Sequence, residues 1–457
     1  MNVTAASLLK AGISGETGMR AALNSGACTA VDLVEATFAE IARSGEEGQK
    51  IFLRLFGDTA RREAERADAR IAAGETGPLL GIPVSVKDLL DVAGQVTTAG
   101  SRVLADAPPA KVDSAVVARL RAAGAIIIGH TGMTEFAYSG LGINPHFGTP
   151  LNPWDKATGR IPGGSSSGGI TALAEGMCGV SIGTDTGGSI RIPSALCGQV
   201  GFKPSQSSVP RDGVFPLSWA LDSVGPLARS VADARLTYEV ISGTSPDTAP
   251  EAAAPRVLVP TNLVHDGADE VVAERFRAAL DALVAAGWRI EHRALAPFDI
   301  VAEMGAIGNY AALEAWRDHS ERLVERGDEY DPRVRSRIES GARLASDAKA
   351  QLDALRARYI VGMAEALKGY DAFLMPTVPL VAPPLDAFVD DAEYGRLNLL
   401  MLRNPTLVNL LDGCAVSLPI GEPGGAPVGL SICCTAGRDC HLLRLAEAAE
   451  GVVVRHR

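Results

Sequence analysis

Between Pro78 and Gly198, short apolar runs alternate with helix-like stretches, and glycine flanks each run. The runs are Ile82 to Val86, Ala125 to Ile128 and Val180 to Ile182; Ser114 to Ala123 and Ile170 to Glu175 lie between them. Runs this short suit strands buried on both faces, and strands alternating with helices demand an α/β core around a layered sheet. The first 75 residues look helical, with Ala30 to Arg43 and Thr59 to Ala73 carrying the pattern. Ser245 to Pro255, rich in Ala, Pro and Asp, is the best internal boundary. Beyond it Val257 to Val259 reads as a strand, and Asp269 to Ala286 as an amphipathic helix. Glu303 to Lys368 is mostly helical and densely charged. A Pro-rich stretch, Pro376 to Pro384, precedes apolar blocks at Val408 to Leu418 and Pro427 to Cys434, then a helix from Cys440 to Gly451. The expected divisions are 1–70, 71–245, 246–370 and 371–457, forming one intertwined body in which a helical lobe interrupts the core.

Two segments concentrate glycine and serine, Gly163 to Gly169 and Thr184 to Arg191. Glycine lets a ligand approach the main chain, and consecutive N–H groups in such turns form a nest for negative charge. A serine beside that nest combines a nucleophile with an oxyanion site, as acyl transfer requires. Flexible linkers share this composition, but here apolar helix- or strand-forming sequence encloses both segments.

A serine nucleophile needs a base. The seven histidines are scattered, none in a glycine-framed turn. His130 follows an apolar run and reads as structural; His441 and His456 read as surface residues. Neither HExxH nor CxxC occurs, so no metal and no cofactor is expected. Lys87 is the better base. It ends the apolar run Gly81 to Asp88, and a desolvated lysine has a lowered pKa because burial disfavours its charge. Neutral, it accepts a proton from serine; charged, it protonates a leaving amine.

Three motifs in order, Gly81 to Asp88, Gly163 to Gly169 and Thr184 to Pro193, with Ser165 standing 24 residues before Ser189, resemble those of the amidase signature family. The resemblance runs from about residue 70 to 240 and resumes from Asp371 to the C-terminus. It implies a central mixed β-sheet sandwiched between helices. It also implies Ser189 as the acylated nucleophile, Ser165 as a bridging serine with a cis peptide, and Lys87 as the base. The N–H groups of Thr186, Gly187, Gly188 and Ser189 would form the oxyanion hole. Ser166 would support the network by hydrogen bonding or touch substrate; Ser167 stands where many members carry glycine. Asp185 and Arg191 would brace the loop.

An α/β-hydrolase reading, with Ser166 as the nucleophile of Gly164-Ser165-Ser166-Ser167-Gly168, needs a strand immediately before it. Thr158 to Gly164 contains three glycines, an arginine and a proline instead. The expected activity is hydrolysis of a small-molecule amide. A urea-derived acid of the allophanate or carboxybiuret type, or glutamine in an amidotransferase A-type subunit, are the alternatives. Asn404 to Asp412 resembles segments of small-amide and urea-acid hydrolases. Arg335, Arg337, Arg396 and Arg403 are candidates for a substrate carboxylate, though bracing or surface roles suit each. Tyr310 and Trp316 are candidates for an aryl pocket, with the lobe Glu303 to Lys368 expected to supply most of its wall.

The net charge of −11 disfavours nucleic acid, and no apolar run is long enough to cross a membrane. Met1 to Thr4 lacks a basic start before an apolar core, so no signal peptide is expected. Seven cysteines without a spaced framework, including the vicinal Cys433-Cys434, read as reduced thiols in the cytoplasm. The protein is expected to act alone or as a homodimer.

Overall fold

The computed structural model describes residues 4–245, 254–388 and 390–454. Met1 to Val3, His456 and most of the boundary expected at Ser245 to Pro255 lie outside the described residues.

One mixed sheet of eleven strands organises these residues. In chain order they are β1 (Phe52–Leu55), β2 (Pro83–Lys87), β3 (Ile126–Thr131), β4 (Val180–Asp185), β5 (Val200–Lys203) and β6 (Ser223–Ala228), followed by β7 (Arg256–Pro260), β8 (Arg289–Arg293), β9 (Ala372–Pro376), β10 (Cys414–Pro419) and β11 (Gly429–Cys434). Across the sheet they run β1-β3-β2-β4-β6-β5-β10-β11-β9-β7-β8. β2 is parallel to both β3 and β4, and parallel neighbours need crossovers. The helices Ala115–Ala122 and Ser167–Glu175 are those crossovers. β4 through β9 continue antiparallel, while β7 lies parallel to β9 and β8. Both strands of the region expected to form the helical lobe's entry, β7 and β8, thus belong to the common sheet.

The burial explains the texture of the sequence. Every residue of β2, β3 and β4 is buried, so these strands read as apolar runs rather than as alternating ones. Each buried Ile or Val there contributes roughly 1.5–3 kcal/mol. The charged strand β8 sits at the sheet's edge with both ends exposed, where charge discourages edge-to-edge pairing.

The helices of the following region begin at recognisable caps. Asn309 accepts from the Ala312 N–H at 2.8 Å to open Tyr310–Arg326. Asp331 accepts from the Arg333 N–H, with Pro332 at the first helical position of Pro332–Glu339. Asp390 caps Asp391–Leu410 by accepting from the Glu393 N–H. That helix contains Pro405, ordinarily a breaker. The apolar block expected from Val408 to Leu418 therefore divides: its first residues end this helix, and the remainder enters β10. Cys433 and Cys434 are free and buried in β11.

Candidate active site

The site forms where parallel strands end. Val86 of β2 pairs with Ile182 of β4, so Lys87 and Thr184 emerge side by side at the carboxyl ends of neighbouring strands, the usual location for sites on such sheets. The Lys87 ammonium is fully buried. Its Nζ donates to Ser165 Oγ at 2.7 Å and to Thr184 Oγ1 at 2.8 Å. Burial lowers its pKa from 10.5 to about 7, against the opposing pull of the Asp222 and Asp185 carboxylates. An amine poised there is largely available in its neutral form near pH 7, as a general base toward a neighbouring hydroxyl must be.

Ser165 is presented by a loop folded against other backbone. The Gly164–Ser165 peptide is cis. Gly164 N–H donates to the Gly140 carbonyl at 2.8 Å. A Cβ on Gly164 would lie 2.5 Å from the Gly142 nitrogen, so no larger residue fits. The helix Ser167–Glu175 starts directly afterwards. No strand precedes this loop, as an α/β-hydrolase elbow would require.

The third element is the turn after β4. Asp185 organises it: its carboxylate accepts from the N–H groups of Gly188 (2.8 Å), Ile190 (3.2 Å) and Arg191 (3.4 Å). The Arg191 guanidinium binds the same carboxylate at 2.9 and 3.0 Å, and Asn409 Nδ2 adds 2.9 Å. Burial by itself would raise the Asp185 pKa; Arg191, Lys203 and Asn409 hold it well below the usual carboxylate range instead. Arg191 also donates to Asn409 Oδ1 and the Pro405 carbonyl, which locks helix Asp391–Leu410 over the turn. Gly188 has φ +127°, and a Cβ there would meet Ile192 at 2.6 Å and Pro405 at 2.7 Å.

Thr186, Gly187 and Ser189 line a cavity of about 600 Å³. Among the described residues the Ser189 hydroxyl has no hydrogen-bond partner, and it faces that cavity. The wall is largely apolar, including Leu217, Leu221, Phe298, Leu402 and Leu407. No histidine lines it. His130 is instead buried with its ring nitrogens 3.1 Å from Asp88 and 2.9 Å from the Leu90 carbonyl. Among the described residues no cluster of three His, Cys, Asp or Glu side chains could hold a metal. A smaller cavity of about 290 Å³ near Gly198 and Pro419 contains Cys197. Burial raises that thiol's pKa far above its ordinary value, which disfavours the nucleophilic thiolate.

Several expectations require correction. Ser166 Oγ is buried without a hydrogen-bond partner and does not line the cavity, so neither hydrogen-bond support nor substrate contact is seen. Tyr310 is buried in a second hydrophobic cluster, its hydroxyl bonded to Asp353 at 2.8 Å. Trp316 packs against the main core. Neither lines the cavity. The stretch Glu303 to Lys368 contributes only Asn309, Ala311 and Arg337 to the wall. Core loops, residues 262–302 and helix Asp391–Leu410 supply the rest, because that helix lies directly on the Thr186–Arg191 turn.

Thr184, Asn409 and Asp222 went unassigned in the sequence. Asp222 accepts from Thr186 Oγ1 at 2.5 Å and from the Leu217 and Ser218 N–H groups at 2.9 and 3.0 Å. Burial raises its pKa. An acid abutting the fully buried strand β6 was the available signal.

The comparisons agree with this geometry. The family model described as Amidase matches residues 32–443. A 2-amino-5-chloromuconic acid deaminase from Comamonas testosteroni is 34% identical over 93% of each chain. The A-type component of the glutamyl-tRNA(Gln) amidotransferase from Roseiflexus sp. is 34% identical over 96% of each. The crystal structure of an amidase superposes with a TM-score of 0.86 at 32% identity, covering 95% of this chain and 98% of the other. With the matched model spanning the sheet, the lysine strand and both serine loops, the chain belongs to the amidase family and is a hydrolase acting on carbon–nitrogen bonds.

Proposed function

We propose that the protein hydrolyses a small carboxylic amide through an acyl-enzyme on Ser189. The observation that carries this reading is the 2.7 Å bond from buried Lys87 to Ser165, beside a turn that opens Ser189 to the cavity. Neutral Lys87 takes the Ser165 proton while Ser165 takes that of Ser189, and Ser189 Oγ attacks the carbonyl carbon. The expected Gly188 donor is already taken, because that N–H is bonded to the Asp185 carboxylate at 2.8 Å; the N–H groups of Thr186, Gly187 and Ser189 are left to stabilise the oxyanion, each donor contributing about 2.7–4 kcal/mol in comparable sites. The proton returns through Ser165 to the amide nitrogen, the C–N bond breaks, and the amine departs. Water then attacks the ester along the same relay and restores Ser189.

A fluorophosphonate and a hydroxylamine trap test this. Mass spectrometry is expected to find the label on Ser189 and, with substrate present, a hydroxamate in solution; both disappear in folded Ser189→Ala. Label on Ser165 or Ser166 refutes the assignment.

A stand-alone role is our preferred reading over a glutamine-dependent component of a larger enzyme. The similarity to the Roseiflexus protein supports the latter, so ammonia release from glutamine, with and without partner proteins, decides between them. All seven cysteines are free and six are buried, which supports a reducing, cytoplasmic setting. Among the described residues no helix is long and apolar enough to cross a membrane.

A further inference from the structure

The four arginines that the sequence offers as carboxylate binders separate in the structure. Arg335 is paired with Glu339 at 2.7 Å and Asp328 at 3.0 Å. Arg396 is paired with Glu393 at 2.7 Å. Arg403 lines the cavity, but its three nitrogens donate to Asn404 Oδ1 and to the Asp266 and Val264 carbonyls. Arg337 is the exception. It is half-buried on the wall of the cavity that holds Ser189, and among the described residues no carboxylate lies within 4.0 Å of it.

What holds Arg337 is neutral. One Nη donates to the Tyr138 carbonyl, and the guanidinium stacks 4.4 Å from the Tyr138 ring centroid. Tyr138 is two residues from Gly140, whose carbonyl receives the Gly164 N–H beside Ser165. The cation is therefore fixed to the same loop that supports the serine relay. A guanidinium has five donors in a planar fork, and the Tyr138 carbonyl occupies one. Removing such a group from water without a counter-charge is costly, and a carboxylate matches the remaining fork bidentately. The cavity's acids do not fill this role. Asp266 and Asp299 also line it but are exposed, so they belong to its mouth, where water and salt screen them. The interior wall is otherwise mainly aliphatic and aromatic.

We propose that this cavity takes an amide whose apolar body carries a carboxylate, and that Arg337 binds the carboxylate. The proposal rests on the amide-hydrolase reading of the same cavity and adds the substrate class.

The test uses the full-length Ser189→Ala protein, so that binding is read without turnover. Monoamides of succinic, adipic and terephthalic acid are each matched with the amide bearing a methyl group in place of the carboxylate: butanamide, hexanamide and 4-methylbenzamide. By calorimetry, at least one acid is expected to bind about 10- to 100-fold more tightly than its methyl partner, the range of one charge-assisted hydrogen-bonded contact. That ratio is expected to collapse toward one when Arg337→Gln is added, and to be partly kept by Arg337→Lys. The inference is overturned if no acid binds more tightly than its partner, or if the ratio survives Arg337→Gln in a protein whose circular dichroism is unchanged. Fluorophosphonate labelling of the wild type is read separately. Labelled Ser189 without carboxylate preference refutes this inference alone, whereas failure to label Ser189 refutes the reaction.

Discussion

The buried lysine makes the sharpest prediction, because its environment sets the pH at which the enzyme can work. At its ordinary pKa of 10.5, a lysine is neutral in only about 0.03% of molecules at pH 7; at a pKa of about 7, half are neutral. Burial therefore raises the competent population roughly 1,500-fold at that pH. With a nitroanilide substrate that does not itself titrate, kcat/KM is expected to level off above about pH 8. Below about pH 7 it falls tenfold per unit, reaching about 1% of the plateau at pH 5. Lys87→Ala is expected to lower the plateau by about 10²–10⁴-fold and to abolish this limb. The same shift has a stability counterpart of roughly 5 kcal/mol. Between pH 7 and 10.5 the unfolded chain binds a proton that the folded chain does not, so this contribution grows as pH rises and is lost as pH falls through about 7. Urea denaturation at pH 6 and 10 is thus expected to show Lys87→Met gaining on the wild type at the lower pH. An acid limb near pH 4–5, or one that persists unchanged in Lys87→Ala, refutes the reasoning.

Other perturbations separate the supporting parts. Asp222→Asn removes the carboxylate that most raises the Lys87 pKa, so the acid limb of kcat/KM is expected to move to lower pH; a shift upward contradicts the electrostatic account. Arg191→Ala leaves Asp185 buried without its cation, and breaking such a pair costs about 3–5 kcal/mol, which a denaturant titration will detect. Gly188→Ala drives a Cβ into Ile192 and Pro405 at a positive φ; Ser189 labelling is expected to slow by more than tenfold, since the turn must shift to relieve the contact. EDTA is expected to leave hydrolysis unchanged, and loss of activity restored by zinc contradicts a lysine-based relay.

The core strands were legible because they are buried on both faces. Ile82 to Val86, Ala125 to Ile128 and Val180 to Ile182 each became part of a strand, with ends displaced by only a few residues. β1, by contrast, has four residues of graded exposure, Phe52 to Leu55, too short to display a period of two. β5 and β6 are buried throughout but carry Gly201, Lys203, Gly225 and Pro226. These residues weaken any apolar signature. Lys203 itself is tolerated because its ammonium donates to the Pro204 and Gly413 carbonyls, with burial lowering its pKa to about 8. Pro405 hid the long helix because proline ordinarily ends one, yet Asp391–Leu410 continues through it.

For the candidate site, local motifs singled out Lys87 because it ends a buried strand, and Ser165 and Ser189 because each sits in a glycine-rich turn whose shape depends on its own neighbours. The groups that complete their surroundings come from remote sequence. Asn409 reaches Asp185 across 224 positions, and Asn398 accepts from Ser139 and the Gly140 N–H across 259 and 258. No pattern within a window of residues encodes such a pairing. The cavity wall is subject to the same limit. Arg335 and Arg337 share one helix, two positions apart, and nothing in their residue type distinguishes them. Two positions turn the side chain by about 200° around a helix with 3.6 residues per turn. That rotation gives Arg335 to Asp328 and Glu339, and brings Arg337 onto the Tyr138 ring at the cavity wall. Whether an arginine serves as a surface charge or as a substrate contact is decided by what the fold packs opposite it.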